Sequence, residues 1–599
     1  MAITPYAAGT YANDINTRRL VALKGQLNDL SGQLATGRVS ETYGGLGSGR
    51  GTSLNAHAQL SALDGYDAAI DLGRIRIDLA SAGVGQAATL ASDTWNQLSN
   101  TVAQVGGSAR LSLKSIAEGR LGGFVDALNQ SSAGQYLFGG RVTDIAPVET
   151  ADKILNGDPA AALDGIGAVI AERQAADLGT GTPRTGRLSL TQAGAALTLS
   201  ESADPSVRAN FGFTIEGAVS SNPSALGLAS VVGSAATASL AFASQPRDGD
   251  IVRVTVQNAD GSQSFVGLMA RISPAPESRN TFAIGADAAQ SAANLAASLS
   301  GRTVVGAQSA APPGVAATLS GGTAAAASIS VAAQPSPGDT LRITLGLRDG
   351  TSTTITLIAA ADGDTAAGRF AIGATPEETA SHLSAALSAA LEDAAANELT
   401  ASSATRAASD FFAGSASPGL APRRVALDAA GAATGYVADP SDRTVIWYRG
   451  DDASADPRQT LSLKVSSGES VAVGLQANEP ALRNALAGIA VAASVGFTDD
   501  KADDARFAAF ADRLKSFLQP DAGQTIEQIN TDLSLASSRI QTQKSQNSAT
   551  RLVLQNSLDG IESVSNEEVA AKLLTIQTQL QASYQTTATL AKLSLANYL

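Results

Sequence analysis

Cysteine is absent from these 599 residues, and with it go disulfides, thiolate metal sites and cysteine nucleophiles. That absence also suits an exported chain, in which a stray thiol is a liability. Histidine occurs only as His57 and His382, which leaves no His-based metal or catalytic set. Tryptophan occurs only as the isolated Trp95 and Trp447, better placed for packing than for holding a ligand. Aromatic residues make up 4% of the chain, so its cores must be built from Ala, Leu and Val. No run of about 18 apolar residues exists, so no membrane-spanning helix is expected. The N-terminus carries no basic region followed by an apolar one. By itself this reads as cytoplasmic, while leaving open an export route without a cleaved leader. The net charge of −14 argues against a nucleic-acid partner, because phosphate binding needs clustered Lys and Arg. Gly47-Ser48-Gly49-Arg50-Gly51 lacks the Gly-Lys-Ser/Thr ending of a phosphate loop and reads as a linker. Asp499-Asp500 and Asp503-Asp504 read as solvated linker. With no convergent His, Cys or carboxylate set, the expectation is no enzyme, no catalytic or metal residues and no cofactor.

What is present is a contrast between the ends and the middle. Leu20, Leu23, Leu27, Leu30 and Leu34 follow the 3-4 spacing of a coiled-coil seam. Val569, Leu573, Ile576, Leu580, Tyr584 and Leu590 keep almost the same beat near the other end. The spacing predicts a helix over about 11–37, with Gly37 as its left-handed cap. It predicts others over about 53–105, 108–133, 506–518 and 523–558, and a last one opened by the capping box Ser565-Asn566-Glu567-Glu568. An unbroken helix over 53–105 would span about 80 Å and could not bury its apolar stripe alone.

Between these ends the period changes to short alternating runs punctuated by Gly, Pro and Asp-Gly. Gln245-Pro246-Arg247-Asp248-Gly249-Asp250 recurs as Gln334-Pro335-Ser336-Pro337-Gly338-Asp339. Each copy continues into an alternating strand, Ile251–Val256 or Leu341–Leu345, and a turn at Asp260-Gly261 or Asp349-Gly350. A second strand follows, then Phe282-Ala283-Ile284-Gly285-Ala286 or Phe370-Ala371-Ile372-Gly373-Ala374, then a helix. Thr375-Pro376-Glu377-Glu378 supplies the cap, first-turn proline and third-position glutamate of the second helix, and Asp287 and Gln290 can play the cap and reach-back roles in the first. A weaker echo runs through Leu461–Val465, Val471–Leu475 and a helix from about Pro480. Asn294 occupies the place of His382, so the module does not require a histidine.

Tyr136-Leu137-Phe138-Gly139-Gly140 reads as a hinge or exit turn where helix gives way to β. This cluster, continued by Arg141-Val142-Thr143-Asp144, joins Gln33-Leu34-Ala35-Thr36-Gly37-Arg38, Ser40-Glu41-Thr42-Tyr43-Gly44-Gly45-Leu46-Gly47, Ala58-Gln59-Leu60-Ser61-Ala62-Leu63-Asp64-Gly65-Tyr66 and Ala477-Asn478-Glu479-Pro480-Ala481-Leu482-Arg483 in a resemblance. The chain resembles the flagellin superfamily of bacterial axial proteins, within it the alphaproteobacterial form of the hook-associated protein 3 branch, at the hook–filament junction. Filament flagellins carry an Asn-x-Ala-x-Asp-Asp-Ala pattern where this chain has Glu41-Thr42-Tyr43-Gly44-Gly45, which favours the junction branch.

The resemblance implies a structural subunit of the bacterial flagellum, joining hook to filament by homo-oligomerisation of terminal helices that order on assembly. It implies type III export to the outside of the cell, a cytoplasmic export chaperone, another hook-associated protein on the hook side and flagellin on the filament side. The fold expected is multidomain α plus β. A discontinuous α-helical coiled-coil or bundle core would come from residues 1–140 and 503–599. An intermediate β-rich domain would take 141–235 and 400–502. An inserted outer α+β domain, 236–399, would hold the tandem hairpin–helix repeats at about 238–299 and 327–391. Two other functions fit the same residues: a filament-forming flagellin, and a secreted adhesin-like protein that binds surfaces through the central repeats.

Overall fold

The computed structural model describes residues 5–103, 107–272, 280–361, 364, 366–454 and 456–596, with side chains described from residue 14 to residue 589. The chain is mixed α and β, with several small sheets set between long helices. The helices at the two ends are Pro5–Thr36, Arg50–Ala103, Ser108–Leu128, Asp503–Leu518, Ile526–Glu562 and Asn566–Ala596, and others lie in the middle. Their boundaries have local causes. Gly37 adopts φ 69° and donates its N–H to the Gln33 carbonyl at 2.8 Å, a left-handed stop that a Cβ would oppose. Gly122 and Gly123 do not interrupt the helix Ser108–Leu128. Only half of the Ser565 capping box forms: Glu568 N–H donates to Ser565 Oγ at 3.3 Å, while the Glu568 carboxylate turns to Lys572 at 2.6 Å.

Two apolar periods explain why the longest helices pack rather than stand alone. Along Arg50–Ala103 the buried residues Ala56, Leu63, Ile70, Ile77, Val84, Ala91 and Leu98 recur every seventh position. Along the later helix, Ile526, Ile529, Leu533, Ala536 and Ile540 alternate steps of three and four, the spacing of one helix face.

Contacts divide the chain into two units. The first comprises Met1–Ile75, Ser462–Val471 and Leu535–Leu599. It is helical apart from the short strand Ser462–Lys464 and the start of its partner Ser470–Ala472. The second comprises Arg76–Leu461 and Ala472–Ser534 and holds the other sheets.

In the second unit, strands Ile251–Gln257 and Gln263–Arg271 form an antiparallel hairpin, Thr281–Ala283 adds parallel to the second strand, and Thr303–Ser309 pairs antiparallel with the first. Strands Thr340–Gly346 and Ser352–Ala360 do the same, with Arg369–Ala371 parallel to the second and Thr214–Ser220 antiparallel to the first. A helix follows each short parallel strand, Ala288–Ser298 or Pro376–Ala394. Asp287 caps the first through Gln290 N–H at 2.7 Å and Thr375 the second through Glu378 N–H at 3.2 Å. Glu378 reaches back to Ala374 N–H at 2.7 Å, whereas Gln290 turns to Asn294 at 3.1 Å. Even the side-chain ties correspond. Gln245 donates to the Gly285 carbonyl at 2.7 Å and Gln334 to that of Gly373 at 2.9 Å. Asn294 bonds the Ala283 carbonyl at 2.9 Å, and His382 bonds that of Ala371 at 3.0 Å.

Their burial differs. In the second hairpin Leu341, Ile343 and Leu345 point into a core with Leu383, Leu387 and Leu391, as alternation predicts. In the first, Val252, Val254 and Val256 are buried, but so are Arg253 and Thr255 on the opposite face. That face lies under residues 406–424. Arg253 donates to the carbonyls of Ala413 (3.1 Å) and Ala421, and Arg423 to Thr255 Oγ1 (2.9 Å). Asp410 stands among these cations, paired with Arg406 at 2.8 Å and Arg423 at 3.0 Å.

Candidate assembly surface on the terminal helices

Residues 37–39 and 562–564 run antiparallel. Val39 N–H donates to the Glu562 carbonyl at 2.7 Å, Val564 N–H to that of Gly37 at 3.0 Å, and Arg38 bridges Ser563. The end of the N-terminal helix therefore meets the start of the C-terminal helix, and the two lie antiparallel. Gln26, Leu30 and Gln33 line one side of the groove between them, and Lys572, Ile576 and Gln579 the other.

On this pair Leu20, Leu23, Leu27 and Leu30 are half-buried, and Leu34 is 39% exposed. The helix ends two residues later, and Gln33 turns in instead, its amide donating to the Val39 carbonyl at 2.8 Å. Val569 and Leu580 are buried, and Leu573 and Ile576 half-buried. Tyr584 is 57% exposed. After Leu580 the alternation calls for a step of three, which puts Ser583 rather than Tyr584 on the seam. Leu590 lies outside the described side chains.

Outside the seam this unit is unusually apolar. Val21, Leu54, Leu72, Ile75, Leu552, Val553 and Leu574 are all more than 40% exposed. The unit is about a quarter of the chain yet carries more than half of the exposed large apolar side chains among the described residues. A fully buried Leu is worth roughly 1.5–3 kcal/mol, so half-buried seams and bare leucines leave much of that stabilisation unrealised in a single copy.

Polar contacts set the helices' register within the same unit. Arg551 pairs with Asp64 (2.5 Å) and Asp67 (2.7 Å), and Lys544 with Asp71. Glu562 accepts from Ser53 Oγ at 2.5 Å and lies 2.9 Å from His57 Nε2, while Tyr43 meets the His57 ring edge-on. The Ser53 hydroxyl first, and then His57, hold the Glu562 carboxyl below the usual range. A carboxylate whose folded pKa is depressed stabilises above its unfolded value and loses that contribution as pH falls through the folded one. Glu562→Gln is expected to destabilise the helical unit by about 1 kcal/mol at pH 7 and by much less near pH 3. Thermal melts followed by circular dichroism at the two pH values check this.

No family model matches the chain, and no curated protein matches it. The remaining sequence-predicted positions lie in the second unit. Tyr136 is half-exposed, Leu137, Phe138 and Gly139 are buried, and Gly140 is half-exposed with φ 64°. Ala477 N–H donates to the Phe138 carbonyl (2.8 Å), Asp451 N–H to that of Gly139 (2.9 Å), and Gly140 N–H to that of Leu475 (2.9 Å). A hinge motion there would have to break these bonds. Trp447 is fully buried and donates its indole N–H to the Phe412 carbonyl at 3.0 Å. The expected linker around Asp503 is instead a helix start, where Asp503 accepts from Thr498 N–H at 2.7 Å and pairs with Arg506 at 3.1 Å. Among the described residues no three His, Asp or Glu side chains converge as metal ligands, and no helix is long and apolar enough to cross a membrane. The feature that sequence spacing missed is the second, uncovered apolar face of the helices. Leu72 and Ile75 were legible as apolar residues out of phase with Ile70 and Ile77.

Proposed function

We propose that this chain is a structural, non-enzymatic subunit of the bacterial flagellum, related to the hook-associated protein 3 branch of the flagellin superfamily. It joins hook to filament through polymerising terminal helices. The observation that carries this reading is the antiparallel pairing of the N- and C-terminal helices with half-filled seams and bare apolar faces. Neighbouring copies would complete those seams as a coiled-coil bundle. The motifs at Ser40–Gly47 and Ala58–Tyr66 support the junction branch over a filament flagellin. In this reading the subunit is exported to the cell exterior with a cytoplasmic chaperone, contacts another hook-associated protein on one side and meets flagellin on the other. The corresponding ties of Gln245 and Gln334, and of Asn294 and His382, support a duplicated hairpin–helix module in the middle of the chain.

Immuno-gold electron microscopy of intact flagella tests the assignment. A narrow band of label at the hook–filament boundary is expected. Label along the whole filament would make the chain a flagellin, and label away from the flagellum would overturn the reading.

A further inference from the structure

The tips of the two hairpins in the second unit converge on a cleft of about 440 Å³. Ser262 and Gln263 come from one tip, and Asp349 and Thr351 from the other. Three helices close the cleft, contributing Arg406, Arg483 and Arg513. Phe265, Phe412 and Phe517 add apolar wall.

The charge of this cleft runs against that of the chain. Arg348, Arg406, Arg483 and Arg513 line it, against the carboxylates of Asp349 and the exposed Asp512. Arg513 already holds Asp349 at 2.8 Å and Glu398 at 2.7 Å. Arg348 donates to backbone carbonyls alone, those of Arg208 (2.5 Å), Phe211 (3.0 Å) and Gly212 (3.1 Å). Arg406, buried, shares Asp410 with Arg423 and leaves its Nε without a partner. The guanidinium groups of Arg253, Arg406 and Arg423 lie 4.8, 5.5 and 5.0 Å from the centre of the Phe265 ring, which itself lines the cleft. Burial, the largest cause, lowers Arg253 to about 9 and Arg348 to about 10, so both still carry their charge at neutral pH.

Arg483 is the group with unused capacity. It stands half-buried in the first turn of the helix Pro480–Ser494. Among the described residues no carboxylate or carbonyl accepts from its guanidinium. A guanidinium offers five donors in a planar fork that fits a carboxylate or phosphate, and such charge-assisted bonds are the strong ones. Ligand sites commonly combine apolar and aromatic walls with a few convergent polar groups.

We infer that this cleft binds a small organic acid of monosaccharide size, its carboxylate or phosphate held by Arg483 and its body lying against Phe265 and Phe517. The inference is independent of the flagellar reading, since none of the cleft residues lies on the paired helices Pro5–Thr36 and Asn566–Ala596.

The test is calorimetric titration of the purified full-length chain with glucuronate, glucose 1-phosphate and glucose. Saturable binding of at least one acid at millimolar concentration or below is expected, with no binding of glucose. Which acid binds more tightly identifies the preferred head group. Arg483→Gln is expected to weaken that acid by about ten-fold or more, and Arg483→Lys by less. Ser516→Glu places a negative charge on an exposed residue of the lining and is expected to abolish binding without touching the fold. Absence of saturable binding by either acid, equal binding of glucose, or affinity unchanged in both Arg483→Gln and Ser516→Glu would each overturn the inference.

Discussion

Removal of residues 1–37 or 565–599 is expected to abolish the proposed polymerisation of the chain while its second unit remains folded. The two deletions act alike because each helix supplies half of one seam. Leu20, Leu23, Leu27 and Leu30 face the helix that carries Leu573 and Ile576, and loss of either side exposes the other. Isolated helices with weak apolar stripes are marginal in water, so the helix left behind would fray rather than find another partner. The second unit draws its stability from elsewhere. One core joins Leu341, Ile343 and Leu345 to Leu383, Leu387 and Leu391, and another joins Val252, Val254 and Val256 to Leu295 and Phe282. Neither uses a residue within the deleted segments. Sedimentation and electron microscopy of the truncated chains read assembly, and urea unfolding followed at Trp447 reads the second unit. A truncated chain that still formed polymers would remove the terminal helices from the mechanism. One whose Trp447 transition vanished would show that the second unit depends on them.

Asp410→Ala is expected to destabilise the second unit by about 3–5 kcal/mol, the penalty for breaking a buried ion pair from one side. Asp410 is 3% exposed and is the sole ion-pair partner of both Arg406 and Arg423 among the described residues. Without it those guanidinium groups, beside Arg253 and around one phenylalanine ring, repel one another in a medium that screens them poorly. Burial by itself would raise the Asp410 carboxyl. The charges of Arg406, Arg423 and Arg173 outweigh it and hold that carboxyl below the usual range. The sign of the pH effect follows: the carboxylate stabilises above its unfolded pKa of about 4, and the benefit disappears as pH falls through the lower folded value. Urea unfolding at pH 7 should therefore separate wild type from variant widely, and the gap should narrow in acid. Asp364→Ala, which removes an exposed ion pair with Arg369, serves as the control and should change stability far less than Asp410→Ala does. Equal effects of the two substitutions would mean that the buried cluster is not held together by its single carboxylate.

Much of the local structure was legible because its causes are local. Gly37 stops a helix because a left-handed residue costs glycine nothing. Thr375 and Asp287 start helices because a short oxygen-bearing side chain reaches the free N–H groups of the first turn. The Asp-Gly turns mark both hairpins because glycine supplies the positive φ, 81° at Gly261 and 86° at Gly350. Candidate positions were less legible where two apolar phases compete. Tyr584 continues the run of large side chains, yet the 3-4 alternation carries the seam to Ser583. Leu34 likewise sits where helix termination hands its place to Gln33.

By itself the sequence determined the helical ends, the two similar hairpins of the middle with their turns and following helices, and the absence of cysteine chemistry. These depend on the spacing and conformational preferences of neighbouring residues. Only the tertiary structure decided that the strand Ile251–Gln257 is covered on both faces, and that arginines from Arg253 to Arg423 gather around one carboxylate. It alone brought Arg483 to a cleft between two hairpin tips. Burial and charge pairing join residues far apart in the chain, and no period within a single segment encodes which distant segment will cover it.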